Sequence, residues 1–292
     1  MTQAIQKKLN DSAFARWTAL ILVALTMFFG YMFVDVLSPL QNMLESTRGW
    51  SPTIFGLYGG SEFILNVCGF LLVAGIILDK MGVRFTGILS ASLMVLGAGI
   101  KFYGLSNYFY EGGFGYEFLS SFLTDIPASA KLACLGFMVF GCGTEMAGVT
   151  VSRAIVKWFT GKELALAMGL EMAIARLGVF AVFSLSPWVA NWGGDPSVAR
   201  PVAVVGLLLC IGLLTYIAFS VMDFKLDRQT EADTPIGETE EPFKVADLKN
   251  LFSSKTFLIV SALCVLYYSA IFPFQRLSLI HISEPTRLRC IS

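Results

Sequence analysis

Charge is scarce in this sequence, and histidine is nearly absent. Only 14% of the 292 residues are Asp, Glu, Lys or Arg, while 55% are hydrophobic and the mean hydropathy is +0.70. A water-soluble domain of this length carries about twice that share of charge, so the balance excludes one. The single histidine is His281. The six cysteines (Cys68, Cys134, Cys142, Cys210, Cys264, Cys290) lie in apolar stretches or close to the last residue, with no CxxC spacing. Neither a disulfide framework nor a metal site is expected of them. There is no Walker loop, no nucleotide motif and no nucleophile spaced with a base, so an ATP-driven pump and a membrane enzyme are excluded and no cofactor is implied. Net charge is zero, and no nucleic-acid partner is expected. No small-residue cleavage site follows the first apolar run, so no cleavable signal peptide is expected.

What the sequence has in quantity is apolar runs. Seven stand near the ~20 residues that a helix needs to span a bilayer. They fall at about 17–39, 53–78, 85–105, 132–151, 164–187, 201–222 and 257–276. In hydrocarbon every backbone polar group must find its partner inside the segment, so these runs are helices and the fold class is all-α integral membrane. Residues 1–16 form a polar N-terminus, 17–222 a six-helix bundle, 223–256 a linker, and 257–276 a seventh helix.

Lys and Arg set the orientation. With the N-terminus inside, the inner segments hold Lys7, Lys8, Arg16, Lys80, Arg84, Arg153, Lys157, Lys162, Lys225, Arg228, Lys244, Lys249 and Lys255. The outer ends hold only Arg48, Lys101, Lys131 and Arg200. Cytoplasmic loops carry the excess of these residues, so the N-terminus is expected in the cytoplasm. The outer loop at 106–130 has no Lys or Arg at all. In the linker, 230–242 is acidic and reads as disordered. Val245, Leu248 and Phe252 then recur at helical spacing, which suggests a short helix on the membrane surface.

Charge inside the apolar runs is the informative part. Glu145 stands in the fourth run, and Glu171 and Arg176 in the fifth. A charge at bilayer depth is expensive and usually faces a wet cavity or a partner. Counted from a turn near residue 158, Glu145 and Glu171 are level and Arg176 lies ~7 Å further out. An acid and an arginine so placed suit a zwitterion: its ammonium on Glu145, its carboxylate on the forked guanidinium of Arg176. An axial offset of that size matches a dipeptide backbone better than a single amino acid. The competing reading is a direct Glu145–Arg176 lock between helices. Glu62 and Asn66 share a face of the second run, and Asp35 ends the first. With Glu171, these are candidate cavity or proton sites. The glycines at 136, 141, 143, 148, 169 and 178 read as packing surfaces.

The turn between the second and third runs reads Gly75-Ile-Ile-Leu-Asp79-Lys80-Met-Gly82-Val-Arg84. It resembles the signature of the major facilitators, Gly-x-x-x-Asp-Arg/Lys-x-Gly-x-Arg/Lys. Six helices, a long inner linker and a seventh helix fit their two-halved plan. Gly75 is expected to allow close packing and Gly82 to make the turn. The resemblance implies that Asp79, Lys80 and Arg84 belong to a charge latch that biases alternating access.

Two further stretches sharpen the likeness. Lys157-Trp158-Phe159-Thr160-Gly161-Lys162-Glu163, running on to Arg176-Leu177-Gly178, and Tyr267-Tyr268-Ser269-Ala270-Ile271-Phe272-Pro273-Phe274 resemble the dipeptide-uniporter branch of the major facilitators. That branch is lysosomal in animals and works there with a glycosylated partner. The resemblance implies dipeptide uniport with Glu145 and Arg176 on the ligand. No acidic dileucine signal is present near the N-terminus, so a bacterial inner-membrane relative with no obligatory protein partner is expected. A proton-coupled carrier of another organic anion or amino acid is the first alternative. A seven-helix receptor is the second, opposed by the inner N-terminus. After Arg276 the string Leu277-Ser278-Leu279-Ile280-His281-Ile282-Ser283-Glu284-Pro285-Thr286-Arg287 is similar to a translated sequencing adaptor. Residues 277–292 are therefore expected to be non-native, and the native protein is expected to continue to twelve helices.

Overall fold

The computed structural model describes residues 9–231 and 253–283, and side chains over 9–229 and 253–271. Its described elements are all helical. They are α1 (Ala13–Val34), α2 (Gln41–Arg48), α3 (Pro52–Leu65), α4 (Leu71–Leu105), α5 (Asn107–Tyr110), α6 (Tyr116–Ser120), α7 (Ala128–Phe159), α8 (Leu164–Ala190), α9 (Ala199–Glu231) and α10 (Lys255–Ser283). The described residues form two units, a bundle of α1–α9 and a separate unit holding α10.

By length and composition, five helical stretches of the bundle can cross a membrane. One of them, Pro52–Leu105, has 54 residues. At ~1.5 Å per residue it would be ~80 Å long, far beyond a hydrocarbon core of ~30 Å. Gly82 divides it, with φ 74 and ψ 174, a backbone state that an L-residue rarely adopts. The two legs lie side by side: Arg48, just before the first leg, donates 3.0 Å to the carbonyl of Leu105, which ends the second. With its two legs counted separately, the bundle holds six helical stretches of spanning length. They are α1, the α3–α4 leg up to residue 81, the α4 leg from residue 83, then α7, α8 and α9.

The packing repeats itself. The second span packs on α7, and α8 packs on α1; the third span packs on α7, and α9 packs on α1. The third span and α9 also meet. Exchanging spans one, two and three with four, five and six maps these contacts onto one another, the relation expected of two three-helix repeats. α1 and α7 are the central pair in this scheme.

Glycine sets the closest approaches. A Cβ built on Gly136 would lie 2.6 Å from the Lys101 nitrogen, on Gly141 2.1 Å from the Glu62 carbonyl oxygen, and on Gly143 2.6 Å from the Ser90 carbonyl oxygen. On Gly178 it would meet the Phe28 carbonyl oxygen at 2.3 Å. These four are packing surfaces, as the sequence suggests. Gly148 and Gly169 have nothing within 4 Å. Gly75 is open too, so the close packing expected there has no counterpart among the described residues.

The second span is also bent. Asn66–Phe70 is a π-helical turn with Gly69 at φ 109. The side chain of Asn66 caps the irregularity, donating to the carbonyl of Glu62 at 3.3 Å and to Gly141 across on α7 at 3.2 Å. At the other end of the bundle, the loop after Leu105 holds α5 and α6, with Lys131 donating to the carbonyls of Leu119 and Phe122. The surface helix expected around Val245, Leu248 and Phe252 lies outside the described residues. α10 runs through the boundary expected at residue 276 and has its apolar part at Lys255–Ile271.

Substituting Gly136 by Val forces α7 off the third span at backbone level. Overpacking of this kind costs ~1–3 kcal/mol. Thermal unfolding in detergent should show a lower midpoint for Gly136→Val, and an unchanged one for Gly148→Ala.

Candidate functional site

The expected turn position needs correcting first. α7 runs to Phe159 and α8 begins at Leu164, with Gly161 at φ 74 between them. The turn is thus centred a few residues later than 158. At ~1.5 Å per residue, Glu145 stands ~21 Å back from the end of α7, Arg176 ~18 Å into α8, and Glu171 only ~10 Å in. Glu145 and Arg176 are nearly level, and Glu171 lies closer to the turn. The axial offset of ~7 Å, and the argument for a dipeptide's length drawn from it, do not survive.

What the structure brings together is a ring of charge around Tyr31. The phenol of Tyr31, on α1, lies within Coulombic reach of Arg176, Glu145, Glu171 and Glu62. The Arg176 guanidinium stands over the Tyr31 ring, 5.3 Å from its centroid. Arg176 is exposed on α8, Glu145 is half-buried on α7, and Glu171 and Glu62 are each 4% exposed. Among the described residues no ion pair joins Glu145 to Arg176. The lock between helices is therefore not formed, and both charges act electrostatically on Tyr31. Gly141, Glu145 and Gly148 follow one ridge of α7. The ridge is closed at Gly141 by the Glu62 backbone and open at Gly148.

The other sequence candidates divide. Asn66 ties the second span to α7, as described, and Glu62 abuts the same glycine. Asp35 caps the end of α1 and accepts from Ser38 at 3.0 Å. It belongs to the far end of α1, a turn beyond Tyr31.

Tyr31 was not legible as a site residue, because a lone tyrosine in an apolar run carries no signal. Lys101 was misplaced rather than missed. It lies one turn before the end of the third span, and its side chain is fully buried rather than flanking the span at the surface. Its Nζ is 4.3 Å from the Phe33 ring centroid, 4.5 Å from Phe137 and 5.0 Å from Tyr58, and has no hydrogen-bond acceptor.

The motif residues form a second site at the turn end of the bundle. Asp79 accepts from Arg153 on α7. Arg84 pairs with Asp227 on α9 at 3.4 Å and stands over the Phe224 ring at 5.2 Å. Lys157 bridges Asp223 at 2.8 Å and Asp227 at 2.6 Å, and Trp158 Nε1 donates to Asp223 at 2.9 Å. Lys80 is exposed. Lys162 and Arg16 extend the network to Asp11 and Glu163 at 2.9 and 3.4 Å. The motif's acid and base thus tie the second-to-third turn to spans four and six. Asp223, expected to open the linker, is instead a buried part of α9.

Asp223 and Asp227 separate buried from exposed pairing. Asp223→Asn removes the buried charge that accepts from both Lys157 and Trp158 Nε1, and weakening hydrogen bonds to a charged group costs ~1.5–3 kcal/mol. Asp227 is partly exposed, and Asp227→Asn should cost under ~1 kcal/mol. Thermal midpoints of the two variants in detergent check the order.

The family profile described as Major Facilitator Superfamily matches residues 20–283. The lysosomal dipeptide transporter MFSD1 of Pongo abelii is 27% identical over 281 residues, 92% of this chain and 54% of that protein. The proteins of the same name in Gallus gallus and Danio rerio are 35% identical over 145 residues and 34% over 169. Those two alignments cover 48% and 54% of this chain, and 32% and 36% of the relatives. The chain spans about half the length of these relatives at most.

Proposed function

This chain belongs to the Major Facilitator Superfamily, and we propose that it carries the first six-helix half and the seventh helix of a dipeptide carrier. Membership makes it a multi-pass membrane protein and sets aside the seven-helix receptor. In the proposed reading the carrier works by alternating access as a uniporter, with Glu145 and Arg176 taking the two charged ends of the ligand. The observation that carries this is the pair itself: opposite charges, nearly level on neighbouring spans, both within electrostatic reach of Tyr31 and not bonded to each other. The relatives' name supplies the substrate class. We read the motif-bearing end as cytoplasmic on the Lys and Arg asymmetry. The bacterial inner membrane rests on the sequence features alone.

The chemistry follows from the groups. A free ammonium is a compact donor and meets Glu145 as a point charge. A terminal carboxylate matches the guanidinium fork, which can donate two parallel hydrogen bonds to it. Tyr31 carries the face of its ring under that fork. A cation over an aromatic ring gains ~0.5–2 kcal/mol, more when water is excluded. Tyr31 is therefore a positioning residue for Arg176, and its phenol is the neutral polar group among the charges. Asp79, Arg153, Arg84 and Asp227 join the spans at the turn end. Their bonds hold while that end is closed and must yield when it opens.

The test uses the full-length protein in detergent. A ligand that binds only the folded state raises the unfolding midpoint by mass action. A panel of dipeptides should raise it, and Glu145→Gln and Arg176→Ala should abolish the rise while leaving the ligand-free midpoint nearly in place. No rise with any dipeptide, or a collapse of both ligand-free midpoints, sinks the reading. Liposome uptake insensitive to a collapsed proton gradient separates a uniporter from a proton-coupled carrier.

Tyr31 gives a finer check. Tyr31→Phe keeps the ring under Arg176, whereas Tyr31→Leu removes it. The apparent Kd for a dipeptide should rise about tenfold in the leucine variant, the factor for ~1.4 kcal/mol, and clearly less in the phenylalanine one.

A further inference from the structure

Lys101 is the most costly side chain in the bundle and the one the substrate reading does not use. It is fully buried, in the third span, and its Nζ has no hydrogen-bond acceptor. Three rings enclose the nitrogen: Phe33 from α1, Tyr58 from α3 and Phe137 from α7. The box is built on close backbone contact. A Cβ on Gly136 would strike the backbone nitrogen of Lys101 at 2.6 Å, and one on Gly97 the backbone nitrogen of Phe140 at 2.4 Å. Ring faces attract an ammonium, but they cannot accept its three protons as oxygen does, so burial of the charge is only partly offset. A leucine or methionine would fill the same space without that cost. Retaining an ionisable group here needs a use.

Its charged and titratable surroundings are few. Asp35 follows α1, Glu62 and Tyr58 are on α3, and Cys134 is on α7. Glu62 in turn lies within reach of Tyr31, at the edge of the Glu145–Arg176 space. The box thus joins residues from the first four spans, and connects electrostatically to the ligand site through one carboxylate.

We propose that Lys101 is a proton-binding group of the transport cycle, working with Glu62 and Asp35 as a charge set distinct from Glu145 and Arg176. Sealing the box strips the ammonium of its water, which the three ring faces only partly replace, so closure favours breaking one N–H bond and handing the proton to the departing water. When water reaches Nζ again, the neutral amine takes a proton from it and the N–H bond re-forms. Closing the box on an amine or on an ammonium differs in free energy, so the opening equilibrium depends on pH. The proton is the ligand, and transport through the Glu145–Arg176 site rests on the reading above.

Two substitutions separate the possibilities in the full-length protein. Lys101→Arg keeps a charge that cannot be lost at working pH, and Lys101→Met keeps the length without charge. Uptake of a dipeptide into liposomes is measured from pH 5.5 to 8, and the ligand-free unfolding midpoint over the same range. The wild type should show a pH-dependent rate. The arginine variant should be at least tenfold slower, with a flat profile. The methionine variant should have a higher midpoint, a flat uptake profile and a changed slope of midpoint against pH. Variants that follow the wild-type rate and profile, or a wild type with no pH dependence, overturn the proposal. If the methionine variant fails to fold, the arginine variant carries the test. A changed midpoint slope with no dipeptide uptake in any form supports the charge set and defeats only the dipeptide reading.

Discussion

The contact of α7 with its neighbours at backbone distance is the constraint on which the rest depends. Gly136, Gly141 and Gly143 press on Lys101, Glu62 and Ser90, closer than any side chain would allow. In a membrane there is no hydrophobic gain from bringing two apolar helices together, so close backbone approach and the dispersion it yields must hold the pair. The same approach decides what is buried. It draws Glu62 and Lys101 inside the bundle and leaves Glu145, one turn past Gly141, where the ridge opens at Gly148. The position of the candidate site is therefore a consequence of where the glycines stop.

The two ends of the bundle solve the charge problem differently. At the turn end, acids and bases on different spans pair: Asp79 with Arg153, Arg84 with Asp227, Lys157 with both Asp223 and Asp227. These bonds link the second-to-third turn with α7 and α9 and span both three-helix repeats. At the far end, cations spend themselves on backbone. Arg48 caps Leu105, Lys131 caps Leu119 and Phe122, and Arg200 caps Ala190 and Trp192. A network between spans breaks as a unit when the spans separate. A cap within a loop moves with the loop. The first kind suits a latch, and the second suits a fixed lid.

The sequence showed much of this, and its failures have physical causes. Apolar length suggested six spans for the bundle, and Gly82 marks the reversal inside a helical stretch of 54 residues. Lys and Arg marked the turn end, and the signature placed Asp79 and Arg84 in ion pairs. Depth was the weak point. Thr160-Gly161-Lys162-Glu163 adds a turn after Phe159, and moving the origin by a few residues changed the relative height of Glu145, Glu171 and Arg176 by several ångströms. Lys101 was misjudged because a cation near the end of an apolar run reads as a flanking charge. Only the rings of Phe33, Tyr58 and Phe137, far apart in sequence, reveal the box. Tyr31 was invisible for the same reason: its meaning comes from four charges on three other spans.

Arg176 and Lys101 illustrate two ways to keep a cation at depth. Both use aromatic faces, yet Arg176 is exposed over Tyr31 while Lys101 is sealed between three rings. Guanidinium is delocalised, weakly hydrated and permanently charged, so it can wait at the edge of a wet space for a carboxylate. Ammonium is strongly hydrated and can lose its proton, so sealing it away from oxygen ties its charge state to whether water is admitted. A residue of the first kind recognises an anion in every state of the cycle. A residue of the second kind distinguishes the closed bundle from the open one. The assignment of arginine to the ligand space and lysine to the box follows from that difference in hydration, and exchanging the two residue types would undo both roles.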